Sequence, residues 1–287
     1  MQKKPLNGIR VLDLTRLLPG PLCTFYLARF GAHVIKIEEP KTGDYLKTIC
    51  PRLFSLLNKN KRIIKIDLNT KKGKDIFYRL CKKAHVLVEG FRPGVVKKLG
   101  IDYKAVKKIN PKIIYCSISG YGQTGPCKNK SGHDLNYISY AGIIDPRNPF
   151  IPNFQIADII GALNATISIL AALFKKQRQF IDVSLLESVS ALNVCGLSGL
   201  DMLTGKYPFY NIYKTRDKKY ISIAALEQKF QKRLCDSLSL KKLNNNNLSN
   251  IFKTKTQSQW INHFKNVDCC FTPVLSLKEA LKKVHKS

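Results

Sequence analysis

The chain is short of acid: 19 Asp and Glu face 49 Lys and Arg over 287 residues, a net charge of +30. It also has one Trp, two Met, no Cys-x-x-Cys pair and no apolar segment behind its opening MQKKPLNG. Each shortage excludes something. Without Cys and His at finger spacing, or an aromatic RNP strand, no motif carries specific nucleic-acid binding. Without an apolar leader, and with a longest uncharged stretch (159–174) below the roughly 18 to 20 residues of a spanning helix and interrupted by Gly161 and Asn164, neither secretion nor a membrane span is expected. The expected location is cytoplasm or an organelle matrix. The nine cysteines are odd in number and scattered, so they read as reduced thiols, and Cys23 and Cys195 fall within apolar runs where a free thiol acts as a small hydrophobe.

What is abundant is lysine, which supplies 38 of the 49 cations. A charge this large predicts attraction to polyanions. Lys, Asn and Ile are enriched together, however, down to the run Asn244 to Asn247, and coding bias produces that pattern without selection for a ligand. With 44% hydrophobic and 24% charged residues, the composition is that of a globular protein able to bury a core.

The first half alternates β-branched runs with helical patterns, the order that builds a parallel sheet covered by helices. GIRVLDL (8–14), HVIKIEE, IIKIDL (63–68), HVLVEG (85–90) and KIIYCSIS (112–119) read as strands; PLCTFYLARFGA and KKGKDIFYRLCKKA read as helices between them. That predicts a Rossmann-like α/β domain. From 134 to 205 long apolar helical stretches follow, broken by the strand FIDVSL (180–185). A hairpin around Arg216 and Asp217, helices near 227–239 and 255–267, a loop at KKLNNNNLSN, a short strand in CCFTPVLS and a closing basic helix predict a smaller α+β domain. The domain expectation is a large domain at 1–190, a linker at 191–209, a small domain at 210–274 and a last helix at 275–287.

Residues 120–125 spell G-Y-G-Q-T-G, a literal G-x-G-x-x-G, with Asp145 beyond it. The dinucleotide fingerprint needs its third glycine in a helix that meets the pyrophosphate, and Pro126 followed by KNKSG forbids that helix. A ligand-facing loop is the better reading.

Directly after this loop stands GHDLNY (132–137). Together with LPGPLCTFYLARFGAHVIKIEEP, VLVEGFRPGVVKKLG, NPKIIYCSISGYGQTGP and ADIIGA, it resembles the family III CoA-transferase superfamily, most closely its α-methylacyl-CoA racemase branch, over residues 5–283. The resemblance implies a homodimer of interlocked rings, an acyl-CoA substrate, and no cofactor or metal beyond the CoA of the substrate. By position it assigns catalysis to His133, to Asp158 of ADIIGA and to Glu227 of AALEQKF, which would support the histidine. It assigns CoA binding to Arg92, to Ile66, Asp67, Leu68 and Asn69 on the adenine side, to Lys59, Lys61 and Arg62 before the strand, and to Gly132, Asp134, Asn136 and Tyr137. Taken singly, His133 also reads as a structural histidine, Asp158 as a helix N-cap and Glu227 as a surface helix residue.

Racemising a 2-methylacyl thioester removes the proton α to the carbonyl on one face and returns one on the other. Two acid/base groups are needed, one as the base and the other as the acid, with operating pKa values near neutrality. A histidine with a reference value of about 6.5 suits this unaided, whereas an aspartate at about 3.9 needs a desolvating site, which Ile156, Ala157, Ile159 and Ile160 can supply. An oxyanion partner is expected from a backbone N–H in the 132–137 turn or at the start of the Asp158 helix. The alternative is a CoA-transferase in which Asp158 attacks the thioester to form a mixed anhydride. Two departures leave room for a non-catalytic member: Glu39 stands where the family often places an arginine that meets the nucleotide, and the chain reads as compressed at 140–154 and truncated in its return helix.

Overall fold

The computed structural model describes residues 4–284, except for the side chains of Cys195 and Val284, so the expectation for the Cys195 thiol lies outside the described residues. Strand β1 (Arg10–Leu14) shows why the first half folds as a layered sheet: successive side chains point to opposite faces, so Val11 enters one core while Leu12 and Leu14 enter another. The chain continues through α1 (Pro19–Arg29), β2 (His33–Glu38), α2 (Leu46–Ile49), α3 (Pro51–Asn58), β3 (Lys61–Lys65), α4 (Lys71–Cys81), β4 (Val86–Glu89), α5 (Val95–Leu99), α6 (Tyr103–Ile109), β5 (Ile114–Ser119), α7 (Asp134–Tyr140), α8 (Ile156–Phe174), β6 (Phe180–Ser184), α9 (Leu185–Leu192) and α10 (Val194–Leu197). The six strands pair in parallel in the order β3-β2-β1-β4-β5-β6, the doubly wound topology that the sequence predicts. Helices α1 and α8 close one face over Val11, Val34, Val88 and Cys116; α4, α5 and α6 close the other over Leu12, Leu87 and Tyr115. In such sheets ligands gather beyond the carboxyl ends of the strands, near the point where strand order reverses, here between β1 and β4.

Helix α8 is 19 residues long, three more than the uncharged stretch suggests, because Ile156, Ala157 and Asp158 form its first turn. By length and composition it could cross a bilayer, yet Gly161, Ala162, Ala165 and Ile169 lie buried in the sheet core.

Under the first three strands the core is ionic. The Asp13 carboxylate accepts Thr15 N–H (2.9 Å), Thr15 Oγ1 (2.5 Å), Thr24 Oγ1 (2.6 Å) and Lys61 Nζ (3.0 Å). Lys36, in the middle of β2 and fully buried, donates to Thr15 O (2.7 Å) and pairs with Asp44 at 3.0 Å. Asp44 in turn accepts the N–H of Leu17 at 3.0 Å, pinning a non-glycine residue at φ +64° in the β1–α1 turn. Lys61 is thereby corrected as a phosphate ligand. Its side chain has no exposure, and its ammonium is committed to Asp13, to Pro21 O at 2.9 Å and to Thr24 Oγ1 at 2.7 Å.

Packing separates Met1–Val194 from Cys195–Ser287. The second unit has an antiparallel sheet of β7 (Tyr210–Lys214), β8 (Tyr220–Ala224) and β9 (Phe271–Pro273) in the order β7-β8-β9, with α11 (Gln228–Ser237), α12 (Asn245–Phe252), α13 (Gln257–His263) and α14 (Leu277–Val284). Trp260, Phe252, Leu234 and Ile221 centre its core. The loop expected at KKLNNNNLSN is instead the start of α12. Asn244 caps it by accepting Asn247 N–H at 2.7 Å, and Leu248 and Phe252, one turn apart, are buried; a cap and an apolar pair outweigh the modest helix propensity of asparagine.

Candidate active site

Beyond β5 the chain makes the Gly120–Gly125 loop, with Gly122 at φ +81° and Gly125 at φ +83° and no helix opening there, as the proline after it demands. It returns at His133, whose N–H donates to Asn136 Oδ1 at 3.0 Å and so starts α7. His133 is exposed. Four residues on, Tyr137 is buried: its hydroxyl donates to Gly132 O at 2.6 Å and its ring meets Tyr121 edge-on at 5.2 Å. Gly120 and Gly132 are required by that ring. A Cβ at Gly120 would lie 2.3 Å from Tyr137 Oη, and one at Gly132 would lie 2.8 Å from its Cε1.

Asp134 and Asp158 are brought together. Asp134 is 7% exposed and its Oδ1 accepts the backbone N–H of Asp158 at 3.0 Å, satisfying an amide that the first turn of α8 would leave unpaired. Its carboxylate is therefore turned to α8, not offered to CoA as the sequence suggested. Asp158 is likewise 7% exposed, and its Oδ2 accepts Gln155 Nε2 at 3.1 Å. Among the described residues it has no ion-pair partner. Burial first, and the negative charge of Asp134 second, push its carboxyl up to about 7. The desolvation expected from its apolar neighbours is thus present.

Of the residues expected on the adenine side, Ile66, Leu68 and Asn69 line a cleft of about 150 Å³ at the carboxyl ends of the first four strands, walled also by Leu14, Ile37 and Phe91. Asp67 instead turns to its own loop, accepting Asn69 N–H at 2.9 Å. Lys59 and Arg62 are exposed at the start of β3, the far end of that strand from the cleft. Arg92 is exposed and donates to Asn129 O at 2.6 Å. Glu39, on the cleft rim, holds its own turn: it accepts Lys41 N–H (3.1 Å), Thr42 N–H (2.6 Å) and Thr42 Oγ1 (2.7 Å), and the Thr42 hydroxyl above all keeps its carboxyl at about 2. Glu227 belongs to the second unit, where it is exposed and precedes α11.

Three residues escaped the sequence reading. Arg16 lines the cleft and stacks over Tyr45 at 5.2 Å; its signal was an arginine just past a strand end. Gln155 stands three residues before Asp158 at the start of a helix, where a polar side chain can turn back on it. Glu89, the last residue of β4, is 1% exposed and accepts Phe91 N–H at 2.8 Å, and burial pushes it up to about 7. Beside it Gln123 joins Ser117 Oγ (2.9 Å) to Asp182 (2.9 Å).

A family model of CoA-transferase family III matches residues 6–286. Human alpha-methylacyl-CoA racemase is 33% identical over 98% of the chain and 80% of its own length. Human succinyl-CoA:glutarate CoA-transferase is 31% identical over 96% of the chain and 73% of its length. Among solved structures, Rv3272 from M. tuberculosis superimposes with a TM-score of 0.84 at 26% identity, covering 98% of this chain and 87% of that one. A CAIB/BAIF family protein from Brucella suis gives 0.84 at 27% identity, covering 98% and 86%.

Proposed function

Because the chain belongs to CoA-transferase family III, we propose that it acts on acyl-CoA thioesters, and that it racemises or epimerises 2-methylacyl-CoA by removing and returning the α proton. The observation that carries this reading is Asp158: buried, without a cation partner among the described residues, and with a carboxyl at about 7 it can hold a proton at one moment and release it at the next under neutral conditions. His133, exposed at the head of α7, is the second acid/base group. One of the two takes the α proton, the C–H electron pair passes into the thioester enolate, and the other group delivers a proton to the opposite face. The Asp158 N–H is already given to Asp134, so the enolate oxygen draws on other amides, with the 132–137 turn the first candidate. CoA enters with the substrate, and the chemistry asks for no further group. The same reading includes a homodimer, supported by Ile167 and Phe174, which stand exposed on α8 at 64% and 88%.

A transferase reading has support in the similarity to succinyl-CoA:glutarate CoA-transferase. There Asp158 would attack the thioester carbonyl as a carboxylate and release CoA thiolate. The two are separated by NMR of one 2-methylacyl-CoA enantiomer in deuterium oxide, with and without a carboxylate acceptor. Deuterium entering the α position, and falling by about 10²- to 10⁴-fold in His133→Ala and in Asp158→Asn, is the expected result. CoA passing to the acceptor in a reaction that needs Asp158 but tolerates His133→Ala would replace the racemase reading with the transferase.

A further inference from the structure

Two carboxylates in the same buried corner need a reason, since like charges oppose one another where water is excluded. Asp134 begins α7 beside His133, and Asp158 sits in the first turn of α8, twenty-four residues later. They do not share a hydrogen bond between their carboxyl groups. The bond runs from the Asp158 backbone N–H to Asp134 Oδ1 at 3.0 Å, which ties the head of one helix to the head of the other. Among the described residues the Asp158 side chain has one donor, Gln155 Nε2 at 3.1 Å.

We propose that Asp134 is the positioning residue of Asp158: its carboxylate fixes the first turn of α8 against the turn that carries His133, and it sets a second acidic group beside the Asp158 carboxyl. This rests on the proton-transfer reading of the site. Asp134 touches no reacting atom in this role; it works through Asp158. An amide in its place could make the same hydrogen bond, because an asparagine Oδ1 also accepts an N–H. What an asparagine cannot supply is charge.

The remaining groups around Asp158 do not duplicate that charge. Tyr137, from α7, is a buried phenol whose hydroxyl proton is engaged by Gly132 O, and burial followed by the charge of Asp158 holds it well above its ordinary range. Gln155 is neutral. Arg92 acts on Tyr137 but is bonded to Asn129 O. From α1, Cys23 lies against Thr166, two turns further along α8, and its thiol is held neutral by burial, pushed up to about 12. From α9 the polar contact with α8 is Ser188, which accepts Asn164 Nδ2 at 3.0 Å and is uncharged.

The test titrates Asp158 directly, in full-length protein carrying aspartate labelled with carbon-13 at Cγ and assigned by Asp158→Asn. Asp134→Asn is expected to move the midpoint of Asp158 down by about one pH unit or more, with the thermal transition little changed. Asp134→Ala, which removes acceptor and charge together, is expected to lower the midpoint and also to weaken amide protection in the first turn of α8. Unchanged Asp158 titration in Asp134→Asn, with that protein folded, overturns the proposal. So does an Asp134→Ala protein whose α8 protection and midpoint are those of the wild type. The titration is read without turnover: a shifted midpoint in a protein that exchanges no α proton would keep the coupling and reject the proton-transfer reading. An unshifted midpoint in an active enzyme would do the reverse.

Discussion

The two halves of the sheet bury carboxylates at comparable depth and treat them oppositely. Under β1, β2 and β3, Asp13 is fully buried, but Lys61, Lys36 and two threonine hydroxyls face it, and its carboxyl is held well below the ordinary range despite the burial. Beyond β4 and β5, Glu89 and Asp158 are almost as deeply buried with no ion pair among the described residues, and both rise to about 7. Burial opposes charge everywhere; the partner decides whether the carboxyl stays ionised. The first half of the sheet is thus a rigid ionic frame for the β1–α1 turn and the cleft beside it, and the second half keeps groups that exchange protons near pH 7. Among the described residues, none of the lysines forms an ion pair with Asp158.

The strongest way to break this contrast is to take the cation out of the frame. Lys61→Met leaves Asp13 with an uncompensated share of buried charge, and urea denaturation at neutral pH is expected to show a loss of about 3 to 5 kcal/mol. The opposite change on the other side stabilises. Glu89→Gln keeps an acceptor for Phe91 N–H and removes the need to ionise in the core. The sign follows from proton counts: unfolded Glu89 releases its proton above about 4.5, while the folded protein holds it until about 7, so its contribution is intact below 4.5 and is lost as pH rises to 7. Glu89→Gln should therefore match the wild type at pH 4 and exceed it by about 2 to 3 kcal/mol at pH 8, a difference absent if Glu89 ionises normally.

Smaller effects sharpen the picture at Asp158 and at the cleft. Gln155→Leu removes the donor that favours the carboxylate, so the Asp158 midpoint and the matching limb of the activity profile should rise together by roughly half a pH unit. Glu39→Gln retains an oxygen for the Thr42 turn while removing the charge at the cleft rim. Calorimetric titration with CoA should tighten by no more than about threefold, and the gain should fade as salt is raised, because exposed charges are screened.

Much of the architecture was legible because it depends on local patterns. The β-branched runs at 10–14, 33–38, 86–89 and 114–119 mark buried parallel strands, and Pro126 with the polar KNKSG after it disqualifies the glycine motif as a nucleotide turn. The order GHDLNY then ADIIGA placed two acid/base candidates, and the apolar neighbours of Asp158 pointed to its desolvation. The failures share a cause. Lys61 looked like a phosphate ligand because a lysine beside a strand is ordinarily solvated, and nothing local reveals that Asp13, forty-eight residues earlier, would claim it. Asp134 looked like a CoA contact because its partner is the backbone of another helix, which has no signature in sequence. The asparagine run hid a helix because its stabilising contacts, Leu248 and Phe252 against Trp260 and its neighbours, are tertiary.

By itself the sequence determined the parallel α/β order and the family, and it singled out one histidine and one aspartate as candidates, since periodicity, turn residues and ordered motifs are written along one dimension. Only the tertiary structure decided which buried carboxylates meet a cation and which meet another carboxylate or none. That choice depends on through-space distances of about 3 Å between residues far apart in the chain, and it sets whether burial ends in a fixed charge or in a group that can exchange a proton.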